Sequence, residues 1–188
     1  MSRDRWKLTN EEYEFIKGEV VHIFKLHNIR CIPVSGFEIA SKMGITLIPY
    51  SSFSERKLSS AMETSPDGCV VETNDGRECI YYNDVDWDYE RQNYTILHEI
   101  GHIVLDHTGA DPDKEEDEAN FFAKYAIAPP VLVHRSGARS AEEIYEVFDV
   151  SFEEAWYAFK YYKSWLDGYL VVQRLTEYEK ELWDMYSA

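Results

Sequence analysis

The run Thr95-Ile96-Leu97-His98-Glu99-Ile100-Gly101-His102-Ile103-Val104-Leu105 sets two histidines and a glutamate inside a segment that is otherwise apolar. A helix advances about 100° per residue, so His98 and His102 lie about 40° apart and both imidazoles can reach one ion. Glu99 falls about 60° from His102, within reach of a water at that ion without being a ligand itself. Burying these three groups unpaired would cost several kcal/mol. Chance produces such a spacing in under roughly one chain in a hundred of this length. The segment therefore predicts a helix over residues 88–106 carrying an H-E-x-x-H metal centre, with His98 and His102 as ligands, Glu99 as the catalytic proton acceptor and Zn2+ as the ion. Zinc lowers the pKa of its water towards about 7 and polarises a carbonyl, which makes hydrolysis the expected chemistry.

A catalytic zinc keeps three protein ligands and one open position, so a third ligand is required. Metzincins place Gly and His three and six residues after the second histidine, and here Leu105 and Thr108 stand there, which excludes that subclass. His107 lies about 140° around the helix from His102. If the helix continues it points away, as a surface residue or one supporting a ligand from behind. The better source is the next helix, Glu115-Glu116-Asp117-Glu118-Ala119-Asn120-Phe121-Phe122-Ala123-Lys124-Tyr125-Ala126. Its stripe of Ala119, Phe122, Ala123 and Ala126 suits close helix approach. Counting from Ala119, the stripe centres near about 10°, Glu116 falls at about 60°, Glu115 at about -40° and Glu118 at about -100°. Glu116 also has Asn120 one turn on, where an amide could orient a ligand. Glu116 is the expected third ligand, with Glu118 and Glu115 behind it. Charge complementarity at a helix N-terminus accounts for part of this acidic run.

Elsewhere the pattern is α, then a small sheet, then mostly α. Apolar residues recur at helical spacing from Thr9 to Asn28, with Thr9 and Glu12 placed for a capping box. A short helix over Ser35 to Met43 ends at Gly44, and a strand spans Ile45 to Tyr50. Residues 51–68 are Ser-rich and read as a loop. Cys69 to Thr73 and Arg77 to Tyr82 flank Asn74-Asp75-Gly76 as a β-hairpin, with residues 79–82 expected as an edge strand that could hold a peptide by β-addition. Helices follow over Asp113 to Ala126, Ser140 to Phe148 and Ser151 to Trp165, and the tail from Gly168 to Ala188 reads as one more. Trp156, Phe159, Tyr162 and Trp165 are expected to pack in the core. With no βαβ alternation, the fold class is α+β, mostly helical with a small twisted β-sheet or hairpin. One domain over residues 1–188 is expected, with a core at about 30–165 and a C-terminal helical extension at 166–188.

The chain of 188 residues carries 35 acidic and 19 basic residues, a net charge of -16. That balance repels phosphate backbones, so direct nucleic-acid binding is not expected. No stretch approaches the roughly 18 apolar residues of a membrane span, and no apolar run follows the charged Met1 to Asn10, so a cytoplasmic location is expected. Cys31, Cys69 and Cys79 lack C-x-x-C spacing and read as reduced core thiols.

His98-Glu99-Ile100-Gly101-His102, followed by Glu116-Asp117-Glu118-Ala119-Asn120-Phe121-Phe122-Ala123 and by Pro129, resembles the ImmA/IrrE metallopeptidases. Their pattern is H-E-x-G-H, then E-x-E-A-(N or D)-x-F-A and a Leu-Leu-x-Pro-like end. Here Ala126-Ile127-Ala128-Pro129 replaces the leucines and keeps the helix stop. A weaker likeness at Ile39-Ala40, Gly44-Ile45 and Phe148 to Ala155 extends the match to about residues 30–160. The resemblance implies a zincin-like, gluzincin-like zinc endopeptidase, often carried on mobile elements or prophages, that cuts a helix-turn-helix DNA-binding repressor. Some members carry their own helix-turn-helix, and the acidic N-terminus here shows no basic recognition helix. Tyr94, Tyr125 and His134 are candidates for an oxyanion donor, but a packed aromatic or a surface histidine is the preferred account of each, and none is assigned a catalytic role. Two rival functions are a zinc-bearing module that sequesters a repressor or toxin partner without cutting it, and a purely structural interaction protein without metal.

Overall fold

The computed structural model describes residues 8–73 and 76–186. Helix α1, Asn10–Leu26, opens on a reciprocal pair: the Thr9 hydroxyl accepts from the Glu12 N–H while the Glu12 carboxylate accepts from the Thr9 N–H. Two otherwise orphaned donors are thereby satisfied. Ile16, Val20, Val21 and Phe24 of this helix are fully buried, so the apolar core reaches well before residue 30. Helix α2, Gly36–Met43, is capped by Ser35 and closes at Gly44. Strand β1, Thr46–Pro49, follows.

The expected loop at residues 51–68 contains a helix, α3, Glu55–Thr64. Only Leu58, Ala61 and Met62 along it are half-buried. An apolar stripe three residues long is too weak a periodic signal to stand out among serines, which favour turns and caps. Strands β2, Gly68–Glu72, and β3, Glu78–Tyr82, pair antiparallel as the hairpin pattern requires; Asn74 and Asp75 of the expected turn lie outside the described residues, as do Met1 to Lys7 and the last two residues of the expected tail helix.

The sheet order is β1-β3-β2. Strand β3 therefore lies in the middle, parallel to β1 from Thr46↔Cys79 to Pro49↔Tyr82 and antiparallel to β2 from Gly68↔Tyr82 to Glu72↔Glu78. This corrects the expectation that residues 79–82 form an edge: consecutive burial of Cys79 and Ile80 marks a strand covered on both faces. The edge beside the H-E-x-x-H helix belongs to β2. The parallel β1·β3 pair, with α3 and β2 on its crossover, is a long-range pairing that element order did not reveal.

Helix α4, Tyr89–Val104, is capped by Asp88, and α5, Pro112–Ile127, by Asp111. Pro129-Pro130 stops α5 but also starts an unanticipated helix, α6, Pro130–Ser136, because proline suits the first helical turn. Helix α7, Ala141–Phe148, is capped by Ser140, and α8 begins at Phe152 behind Ser151 but runs past Trp165 to Val172. The expected tail helix is thus divided between the end of α8 and α9, Glu177–Met185, whose Leu182 enters the core. Of the aromatics expected in the core, Tyr162 is buried whereas Trp156 is 47% exposed. All three cysteines are free, and Cys31 is exposed rather than a core thiol. No helix among the described residues is long and apolar enough to cross a membrane.

Helices α4 and α5 approach most closely at Gly101. A Cβ there would stand 3.1 Å from Phe122 Cβ and 3.2 Å from the Ala119 Cα. Ala119, Phe122, Ala123 and Ala126 are all buried, as the alanine stripe predicts. Gly101→Val is expected to destabilise the fold by about 1–3 kcal/mol through overpacking. Gly168→Ala, where an added Cβ meets nothing within 4 Å, is expected to stabilise it by up to about 1 kcal/mol. Thermal melts of the two variants should therefore shift in opposite directions.

Candidate metal centre

Tyr94, His98 and His102 follow one another at intervals of four along α4, and Glu116 and Asn120 do the same along α5. Close packing of the helices sets these two rows face to face. His98 Nε2 and His102 Nε2 lie 3.1 Å apart. Glu116 approaches both, with Oε2 3.4 Å from His98 Nε2 and Oε1 3.4 Å from His102 Nε2. Tetrahedral donors at the usual zinc–nitrogen distance stand about 3.3 Å from one another. These three side chains are the described group able to hold a metal ion, and their spacing fits one. Burial holds the His102 imidazole down to about pKa 4, so it is a neutral lone-pair donor at pH 7. The hydrogen bond with His98 holds the Glu116 carboxyl below its ordinary range. His98 Nδ1 is buried without a hydrogen-bond partner, so the burial of this ring is compensated only through the cluster that its Nε2 faces.

Glu99 is 8% exposed and lines the same cleft as His98 and Glu116. Burial pushes its carboxyl up to about 7, against the opposing effects of His98 and of a hydrogen bond with the Val70 backbone of β2. The helix comes this near the sheet because Gly68 has no side chain: a Cβ there would stand 2.6 Å from the Tyr81 carbonyl and 2.8 Å from Thr95 Cγ2.

Each of the other two glutamates weighed as a ligand has different work. Helix α4 ends at Val104, and Asp106 takes φ 54°, which turns the chain back on itself. His107 therefore does not point away, as a continued helix would require, but places its Nδ1 2.8 Å from His102 Nδ1. Its Nε2 lies 3.1 Å from Glu118 Oε2. Donation from His102 Nδ1–H to His107 Nδ1, and from His107 Nε2–H to Glu118, leaves the His102 Nε2 lone pair free to face Glu116. Lys114 reaches Glu118 at 3.6 Å and Glu12 at 2.5 Å. Glu115 instead accepts from the backbone N–H groups of Thr108, Gly109 and Ala110 and so fixes the loop between α4 and α5. Among the three, only Glu116 belongs to the cluster with His98 and His102.

Residues 40–160 match the peptidase family model described as the IrrE N-terminal-like domain. The chain belongs to the ImmA/IrrE family of metallopeptidases. A comparison with curated proteins returns no match. Family membership implies a metal and a protein substrate, and in this ImmA/IrrE member His98, His102 and Glu116 stand close enough together to hold an ion.

The three oxyanion candidates separate cleanly. Tyr94 lines the cleft of about 390 Å3 that also holds His98, Glu99 and Glu116. Its hydroxyl donates to Asn120 Oδ1 at 3.1 Å, and Asn120 Nδ2 donates to the Glu116 carbonyl at 2.7 Å. Asn120 thus braces Tyr94 and the α5 backbone rather than a ligand carboxylate or imidazole. Tyr125 is buried away from this cleft among Tyr13, Phe121 and Tyr161. His134 is packed against Tyr162, Trp165, Tyr169 and Trp183. Sequence spacing placed Tyr94 on the row of His98 and His102, but the Asn120 contact depends on the α4–α5 approach. In this ImmA/IrrE member, His107→Ala is expected to weaken zinc binding about 10- to 100-fold with helix content retained, as read by competition with a chromophoric chelator. Unchanged affinity would show that the His107–Glu118 pair does not support His102.

Proposed function

We propose that the chain is a cytoplasmic, single-domain, gluzincin-like zinc endopeptidase. His98, His102 and Glu116 hold the ion, and Glu99 is the catalytic base. The observation that carries this reading is the convergence of His98 Nε2 and His102 Nε2, 3.1 Å apart, with a separate Glu116 carboxylate oxygen 3.4 Å from each, beside a buried carboxyl. When bound, zinc supplies a Lewis acid and a water of lowered pKa.

The rest of the reaction falls to side chains. Glu99, buried in the cleft beside His98, takes the proton from the attacking water and returns it to the leaving amine. Tyr94, one turn before His98, offers its hydroxyl to the oxygen that gains charge at the scissile carbonyl, exchanging its Asn120 partner for the substrate. The Arg91–Asp67 ion pair, at 2.6 Å, ties the start of α4 to the residue before β2 and keeps the cleft walls in place. Edge strand β2 starts at that cleft with Gly68, and its backbone offers ladder positions for an extended peptide.

The substrate we favour is a helix-turn-helix DNA-binding repressor of a mobile element or prophage. The family resemblance supports it, and a net charge of -16 favours a basic partner over nucleic acid itself. Elemental analysis of protein purified without a histidine tag should give about one zinc per chain, lost in His98→Ala and Glu116→Ala and kept in Glu118→Ala and Glu99→Gln. Glu99→Gln should abolish cleavage of casein or of a purified repressor while retaining zinc. Tyr94→Phe should lower kcat about 100-fold, also with zinc retained. Full effect of Glu99→Gln on repressor function would instead mean that the protein acts by sequestration.

A further inference from the structure

Three cavities of this chain share walls in series. The metal cleft, about 390 Å3, shares Arg91, Tyr94 and Asn120 with a chamber of about 620 Å3. That chamber in turn shares Lys124, Glu154 and Tyr157 with a third cavity of about 420 Å3. The third lies between α1, α5 and α8, on the far side of α5 from the metal cluster. Its size falls within the about 300–1,000 Å3 of ordinary ligand sites. It also differs in character from the other two: Tyr13, Phe121, Tyr125, Ile127, Ala158 and Tyr161 give it largely apolar walls. The middle chamber is mixed, with acidic and basic residues alongside Trp87 and Tyr157. At the threshold, Lys124 Nζ sits 4.6 Å over the Tyr157 ring.

We propose that the third cavity is a remote subsite of the peptidase, receiving one large apolar or aromatic side chain of the substrate polypeptide at a distance from the cut. The inference rests on the endopeptidase reading above and adds to it a substrate class. The shared walls select the occupant: a chain bound at His98 and Glu116 that follows α5 passes Asn120 and then Lys124, residues the cavities have in common, and the third cavity stands at the end of that course. The length of that course follows from α5. From Glu116 to the middle of the cavity's α5 wall at Tyr125 the helix rises about 13–14 Å, and because nine residues also turn it by about 180°, the course rounds half of a helix about 10 Å across and runs about 20 Å. An extended peptide covers this in about six residues at about 3.3 Å each. The side chain taken up therefore lies about six or seven residues from the scissile bond, with a polar stretch crossing the middle chamber. Lys17, paired to Glu14 at 2.7 Å, closes the α1 side of the cavity with its charge already neutralised, so the recognised group is apolar rather than anionic.

The test is a cleavage profile on a proteome-derived peptide library with zinc-loaded protein, reading the residues on both sides of every cut. Burial of one such side chain corresponds to about 10- to 100-fold in kcat/KM, so Leu, Phe, Tyr or Trp should be enriched about six or seven positions away on one side. Ala158→Trp, which fills the cavity from α8, should reduce that enrichment to background while zinc content stays at the parent value. Tyr157→Ser, at the exposed threshold, should weaken it severalfold and guards against misfolding of the tryptophan variant. Cleavage by the parent with no preference at those positions, or a preference that both variants leave intact, would overturn the subsite and leave the peptidase reading standing. Absence of any cleavage by the zinc-loaded parent would overturn the peptidase reading, and the subsite with it.

Discussion

The contact on which the site depends is the close approach of α4 and α5 at Gly101. Without a side chain at that position, Ala119 and Phe122 come within about van der Waals distance of the α4 backbone. The two helices then lie near enough for a carboxylate on one to reach two imidazoles on the other. A larger residue at Gly101 would move Glu116 away from His98 and His102, since interiors packed like crystals transmit such displacements. The glycine inside the H-E-x-x-H sequence therefore has a steric task separate from the chemistry of its neighbours. Gly68 has a parallel task on the other side of α4, where it lets β2 approach the helix and puts Val70 in contact with Glu99.

A run of four acidic residues at the start of a helix looks, in sequence, like undifferentiated favourable charge. In the fold its glutamates divide by direction. Glu115 turns back onto the N–H groups of the preceding loop, Glu116 turns to the histidine cluster, and Glu118 turns to His107. Glu118 also meets Lys114, which joins α5 to Glu12 at the first turn of α1. The Glu12 carboxylate is meanwhile the acceptor for the Thr9 N–H. One connected set of polar contacts thus runs from the exposed cap of α1 to the back of the His102 ring, and its inner members, His107 and Glu118, are the ones shielded enough from water to fix the ring.

How far the fold and the site were legible in sequence follows from the range of each signal. Capped helices were readable because Thr9, Ser35, Asp88, Ser140 and Ser151 announce themselves within three residues. The ranking of Glu116 over its neighbours used only helix angles and an alanine stripe, both local. Helix α3 was missed because almost none of its surface is buried, leaving no stripe to detect, and α6 because Pro130 was read only as a stop. The central place of β3 depends on pairing with β1 some thirty residues earlier, which hydrophobic alternation cannot encode. His107 was misdirected by assuming that α4 continues; the break at Asp106 is a single non-glycine residue with positive φ, and no Gly or Pro marks it in the sequence. The serial arrangement of the three cavities, drawn from α1, α4, α5 and α8, is likewise invisible before the helices are assembled.

The open edge of β2 bears on solubility as well as on peptide capture. An unpaired strand edge is a template for any extended chain, including the same strand of another copy, and such edges are a common route to aggregation. Here the exposed ladder is five residues long and ends in Glu72, opposite Glu78 on β3. Edge-to-edge pairing of two molecules would bring these carboxylates together on chains that each already carry a net charge of -16. Mutual repulsion at short range therefore discourages self-pairing, while a neutral or basic peptide meets no such barrier. The acidity that repels phosphate backbones also keeps this edge available.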